Sequence, residues 1–182
     1  MSWQIFKNRI TDFQENNDNI TIETYAETLT REYDRAIKRG RDTVNNIPVL
    51  QGNVDIMEEI ISQILTRQQN SPIQSDIIQS IGRGVLGYWT AGIGSPLPIP
   101  VIPAPGSVQN IAITSHFIIN PGQWPPSTPL QPSSSSDQFI DKFISAARQH
   151  LTTVGGIINT LSLYPPLGTP GPGVISWTGY TV

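Results

Sequence analysis

The sequence predicts a mainly α-helical protein with a long proline-rich extended arm, one or two β-strands and an extended C-terminal tail. Three observations predict it. Apolar residues recur at helical spacing from residue 2 to about 90 and again after residue 136. Ten of the chain's 16 prolines fall within Gly84 to Ser136, a span of 53 residues without one Asp, Glu, Lys or Arg. Between residues 108 and 120 the pattern becomes the strict alternation of a strand. The chain therefore divides into an N-terminal helical body at 1–91 and an uncharged extended arm at 92–136, with a strand near 108–120. A C-terminal helix at 137–163 should pack on the body, and an extended tail rich in Pro, Gly and aromatic residues fills 164–182.

Residues 2 to 15 place Trp3, Phe6, Ile10 and Phe13 at spacings of three, four and three, one apolar stripe on a short helix that Ser2 can cap. Asn16-Asn17-Asp18-Asn19 breaks the pattern. Thr21 can cap a second helix running to about Asn45, with the stripe Ile22, Tyr25, Ala26, Leu29, Tyr33, Ala36 and Ile37. Beyond a turn bounded by Pro48 and Gly52, a third helix from about Asn53 to Gln68 turns Ile56, Met57, Ile60, Ile61, Ile64 and Leu65 inward. Glu58 and Glu59 lie near its positive end, where the helix dipole favours them. A fourth helix from about Ser75 carries Ile77, Ile78, Ile81, Val85 and Tyr88. Gly82, Gly84 and Gly87 each cost about 1 kcal/mol against alanine in a helix interior, so the three together predict close backbone approach to a neighbour or a frayed end.

Proline fixes φ and removes a backbone donor, which excludes helix and central strand from the proline-dense arm. The segment from Gly92 to Gly106 reads instead as a polyproline-like strap that could reach roughly 45 Å. In the strand that follows, Ile111, Ile113, Ser115, Phe117 and Ile119 share one face, and Asn110, Ala112, Thr114, His116 and Ile118 the other. A lone strand is not stable, so it must join a sheet that the rest of the chain hardly supplies, or add to another protein's edge. Pro121-Gly122 turns the chain, and Ser133 to Ser136 lead into an N-cap. The last helix, about Asp137 to Leu163, aligns Phe139, Ile140, Phe143, Ile144, Ala147, Leu151, Val154, Ile158 and Leu161, with Gly155-Gly156 bending or dividing it. The closing Ser176-Trp177-Thr178-Gly179-Tyr180-Thr181-Val182 echoes Gly87-Tyr88-Trp89-Thr90: aromatic residues beside Thr and Gly, near prolines.

Composition excludes several functions. Without cysteine there is no disulfide framework, thiolate metal site or thiol catalysis. A pI near 5.2 argues against nucleic acid as the main partner. No run approaches 18 apolar residues and Met1 to Arg9 lacks a signal peptide's apolar core, so neither a membrane partner nor secretion by that route is expected. Charged residues make up 14% of the chain against a typical 25% or so, and apolar residues only 37%. A surface so poor in charge is expected to be covered by partners.

Sites for chemistry are sparse. His116 and His150 stand apart in sequence, without the carboxylate or thiol neighbours of a catalytic or metal motif. Asp137 and Asp141 lie one helical turn apart, as acidic residues in a solvated first turn do. Arg31, Arg35, Lys38, Arg39 and Arg41 interleave with Glu27, Glu32, Asp34 and Asp42, the pattern of a self-paired solvated face. Gly82-Arg83-Gly84 has no preceding strand and only half of a phosphate-binding fingerprint. The expectation is no catalytic residue, no cofactor and no metal. The aromatic residues are more informative, and two readings stay open: they fold back on the helical core, or they insert into pockets on adjacent subunits, where Trp and Tyr dominate binding energy. On the second reading the interface residues are Tyr88, Trp89, Pro98, Pro100, Pro103, Pro105, Trp124, Trp177 and Tyr180.

The layout resembles that of small virion structural proteins of large tailed bacteriophages. The residues that carry the likeness are Glu32-Tyr33-Asp34, Gly87-Tyr88-Trp89-Thr90-Ala91-Gly92, the strap ending Ile102-Pro103-Ala104-Pro105-Gly106, and the closing Trp177-Thr178-Gly179-Tyr180. The resemblance implies a non-enzymatic assembly protein in the virion, in the tail, baseplate, neck or capsid. It would be a homo-oligomer with other virion structural proteins as partners. The alternative expectation is a carbohydrate- or peptide-binding module that uses exposed Trp and Tyr as stacking platforms.

Overall fold

The apolar stripes assemble the helical body. In the computed structural model, which describes residues 2–43, 52–70, 77–90, 99–100, 109–112, 117–126, 135–163 and 170–182, α1 (Ser2–Glu15) buries Trp3, Phe6 and Ile10. α2 (Ile22–Lys38) starts at a capping box in which Thr21 Oγ1 accepts from Thr24 N and Thr24 Oγ1 accepts from Thr21 N, and it buries Ala26, Leu29, Tyr33, Ala36 and Ile37. It ends at Lys38, short of the expected Asn45, because Arg39 closes the last turn and Gly40 follows. α3 (Val54–Asn70) is capped by Asn53 Oδ1, which accepts from Ile56 N at 3.0 Å. It buries Met57 and Ile61 but leaves Ile56, expected inward, exposed. α4 (Ile77–Thr90) buries Ile78, Ile81, Val85, Tyr88 and Trp89, and its glycines are where α3 and other segments come close. α5 (Ser136–Leu151), capped by Ser135 against Gln138, lays Ile140, Phe143, Ile144 and Leu151 on the same core. Lys7 of α1 reaches Asp141 of α5 at 2.7 Å, and Arg9 of α1 reaches Glu32 of α2 at 3.0 Å. The protein is mainly helical, as its periodicity predicts.

The strands are more numerous than expected. Among the described residues they are β1 (Arg41–Asp42), β2 (Ile99–Pro100), β3 (Gln109–Ala112), β4 (Phe117–Asn120), β5 (Gly155–Leu163), β6 (Pro170–Thr178) and β7 (Tyr180–Thr181). All pairings are antiparallel. β5 is central in a five-stranded sheet: β6 lies along one edge, while β3 and β4 share the other, with β2 outside β3. β1 and β7 form a separate two-stranded ladder, Arg41 opposite Thr181 and Asp42 opposite Tyr180.

This sheet overturns three expectations. The C-terminal helix ends at Leu151 rather than Leu163, and Gly155 to Leu163 is a strand. Val154, Ile158 and Leu161 fit a helical spacing, but two glycines and β-branched Ile157, Ile158 and Thr160 favour extended backbone once ladders form on both sides. Of the tail expected at 164–182, the described residues 170–182 carry β6 and β7, which pair within the chain. Of the strand expected at 108–120, the described parts β3 and β4 both pair with β5, while residues 108 and 113–116 lie outside the described residues. Ile111 faces Leu161 and Phe117 faces Ile158, six residues on one side against three on the other, so β3 and β4 do not share one register. That three-residue surplus breaks the single alternation read from sequence. Pro100, Pro170 and Pro172 all lie on lateral strands, where a missing donor costs no ladder bond to a second neighbour.

Candidate functional site

Where the helices meet the sheet, aromatic rings from four elements close on each other. Tyr33 of α2 meets Tyr88 of α4 edge to face at 5.2 Å between centroids. Trp89 packs on Tyr88 at 5.7 Å, on Tyr180 at 5.6 Å and on His150 at 6.3 Å, and Trp124 lies 5.6 Å from His150. Most polar atoms of the cluster are paired. Trp89 Nε1 donates to the Tyr33 hydroxyl at 2.9 Å, and the Tyr88 hydroxyl donates to Asp34 Oδ1 at 2.8 Å, whose other oxygen takes Lys38 Nζ at 2.7 Å. The Tyr180 hydroxyl donates to the Ile37 carbonyl at 2.9 Å. Burial pushes the Tyr33 and Tyr88 hydroxyls well above the ordinary tyrosine range, and for Tyr88 the Asp34 carboxylate pushes the same way. His150, wholly buried, is lowered to about 4 by that burial, against the Pro121 carbonyl, which raises it. Its Nδ1 and the Trp124 Nε1 are buried without a partner.

Glycines make room for three of these rings. A Cβ at Gly52 would overlap the Tyr88 ring, one at Gly82 the Trp124 ring, and one at Gly40 the Tyr180 ring. Gly82 thus gives one of the close approaches that three glycines in α4 predict. The tail is held from both sides of Gly179, which takes φ +89: its N donates to the Val154 carbonyl at 2.7 Å, its carbonyl accepts from Thr43 N at 3.0 Å, and Thr43 Oγ1 donates to the Thr178 carbonyl at 2.7 Å.

The candidate interface residues are therefore redistributed. Tyr88 and Trp89 are fully buried, Tyr180 is 4% exposed and Trp124 8%. These four fold back on the chain's own core, so they are neither anchors for a neighbour's pockets nor platforms for stacking a sugar or peptide. The physical reason is the set of glycine seats and the hydroxyl and indole partners just described, which no local pattern displays. Pro100 lies in β2 and Trp177 in β6 opposite Gly156. Pro98, Pro103, Pro105 and His116 lie outside the described residues. The basic run is self-paired at Arg31–Glu27, Arg35–Glu32 and Lys38–Asp34, and Arg41 Nη1 donates to the Gly40 carbonyl. Asp141 pairs with Lys7, and Arg83 sits mid-helix in α4.

Open clefts on the helical body include one of about 510 Å³ between α1 and α2, lined by the paired Arg9, Glu32, Arg35, Glu27 and Arg31, and two smaller ones. One, of about 310 Å³, is lined by Glu23, Asp55, Glu58 and Glu59 with Ser62 and Gln63; among the described residues no group of three acidic, His or Cys side chains is placed to hold a metal ion. The other, of about 280 Å³, lies beside Trp124 between Gln79, Ser80, Gly82, Arg83 and Leu86. From sequence, Asp34 reads as a partner of the basic run and Pro121 as a turn residue; that they fix Tyr88 and His150 does not follow from that pattern. Only the adjacency of Asp34 to Tyr33 offered a signal. No family model, curated protein or solved structure matches the chain.

Proposed function

We propose that this chain is a non-enzymatic structural protein that joins subunits of a larger assembly, and that its sheet is the joining element. One observation carries the reading: β2 to β6 contain no Asp, Glu, Lys or Arg, and neither does the whole run from Gln149 to Val182. Surfaces that remain in water are ordinarily a quarter or more charged, and free sheet edges are guarded by charge, proline or cover. Here prolines stand on β2 and β6 and curtail strand addition, while the strands themselves bring no ionic side chain to the faces. A sheet of this composition is best satisfied by protein neighbours. The setting we propose is the particle of a large tailed bacteriophage, the role that the resemblance implies, with further copies of this chain and other virion structural proteins as neighbours. Among the described residues no helix is long and apolar enough to cross a membrane.

The test is light scattering after gel filtration over a wide concentration range, combined with amide exchange. The expected result is a defined oligomer whose formation protects residues 155–163 and 170–178 while α1 to α4 exchange unchanged. A monomer at every concentration, or protection gained in the helices instead, overturns the proposal.

A further inference from the structure

The chain leaves β4 through residues 121–126, and that link is fastened beside the C-terminal end of α5 and on α4. His150, in the last turn of α5, donates from Nε2 to the Pro121 carbonyl at 2.6 Å. Three residues further on, Thr153 Oγ1 accepts from Gln123 N at 2.8 Å and lies 2.8 Å from the His150 carbonyl, to which it donates. Gly122 takes φ +71, and a Cβ there would overlap Thr153 and Val154. Trp124 then covers Gly82 of α4 and tilts across the His150 ring. Because Nδ1 is buried without a partner, the ring fits this place only as the neutral tautomer that carries its proton on Nε2. A second proton, on Nδ1, would bury a cation between two indoles and leave that N–H with no acceptor.

Among the described residues no carboxylate or cation faces the ring. From α4 it meets Trp89, and from the link Trp124 and the Pro121 carbonyl. The titratable Tyr33, Tyr88 and Tyr180 lie one ring further, in contact with Trp89, their hydroxyls engaged by Trp89, Asp34 and Ile37.

We infer that His150 is an acid-sensitive latch: neutral, it pins residues 121–126, and with them the near end of the sheet, to the helical body; protonated, it releases that link while the helices stay packed. The sign follows from where the proton binds more tightly. An exposed histidine titrates near 6.5 and the buried ring at about 4, so proton binding favours the released link. The hold is complete above pH 6.5 and weakens as pH falls toward 4. Ordinary carboxylates titrate at about 3.9 to 4.3, below most of this window. The inference stands apart from the assembly reading.

It is tested by following the His150 ring and the amides of Gly122 and Gln123 by NMR from pH 8 to 4.5, with far-UV circular dichroism alongside. The wild type, His150→Gln and His116→Gln are compared. The expected result is a protection factor at Gly122 and Gln123 that falls by up to about tenfold per pH unit in the wild type and in His116→Gln. His150→Gln should give a flat profile, and the helical signal should stay constant throughout. A flat wild-type profile, the wild-type profile retained in His150→Gln, or helices lost together with the link overturns it. If His150→Gln does not fold, the wild type decides alone: His150 titrating without a matching change at Gly122 also overturns it.

Discussion

In the helical body Arg9 and Arg35 both reach Glu32, Lys38 pairs with Asp34 and Lys7 with Asp141, whereas the five-stranded sheet has no ionic side chain at all. The uncharged run that begins at Gly84 starts inside the body, where Val85, Tyr88 and Trp89 are buried, and continues through β2, β3 and β4. The second uncharged run, from Gln149, supplies β5, β6 and β7. Each region therefore solves solvation differently. The body wraps its apolar core in paired and hydrated charges. The sheet depends on its backbone ladders and, in the proposal above, on neighbours. The join between them is made of aromatic packing and neutral polar contacts, His150 among them.

This contrast can be broken at several points. Trp89→Ala removes the ring on which Tyr88, Tyr180 and His150 converge and should cost about 3 to 5 kcal/mol, read from urea unfolding of the helical signal. A loss below about 1 kcal/mol would show that the cluster does not hold the body together. Acidification should come next. The gap between an ordinary histidine and a ring titrating at about 4 amounts to about 3 kcal/mol of hold, lost between pH 6.5 and 4 and absent in His150→Gln. Stability that does not change until pH 4 would remove the latch from the join.

Gly82→Ala should cost about 1 to 3 kcal/mol, because a methyl group there has to displace the Trp124 ring. Tryptophan emission shifted to the red would show the ring leaving its seat; an unshifted spectrum with unchanged stability would show that the seat is not tight. The smallest effect belongs to the surface. Glu27→Gln breaks an exposed pair with Arg31 and should change stability by only about 0.3 to 0.5 kcal/mol, vanishing in molar salt. The same salt should leave the proposed sheet-mediated association intact or strengthen it, and dissociation by salt would contradict an uncharged joining element.

Part of this was legible residue by residue. The stripes named most of the buried faces of α1 and α2, Trp3, Phe6, Ile10 and Ala26, Leu29, Tyr33, Ala36, Ile37, though Phe13, Ile22 and Tyr25 are only half-buried. Of close approach or a frayed end, the glycines of α4 mark close approach. The final helix was only half legible, since Val154, Ile158 and Leu161 satisfy a helical period in a segment that is in fact a strand. The fate of Trp89, Trp124 and Tyr180 was left between two readings. His150 looked like an isolated histidine because its partner is a main-chain carbonyl 29 residues away.

The sequence by itself determined the helices and the absence of charge, because a helix closes its hydrogen bonds four residues along and its buried face is written at that spacing. Tertiary structure decided the sheet and the aromatic cluster. β5 becomes a strand only when segments from either side of α5 pair with both its edges, and a ring's destination depends on glycines and carbonyls that distant elements bring beneath it.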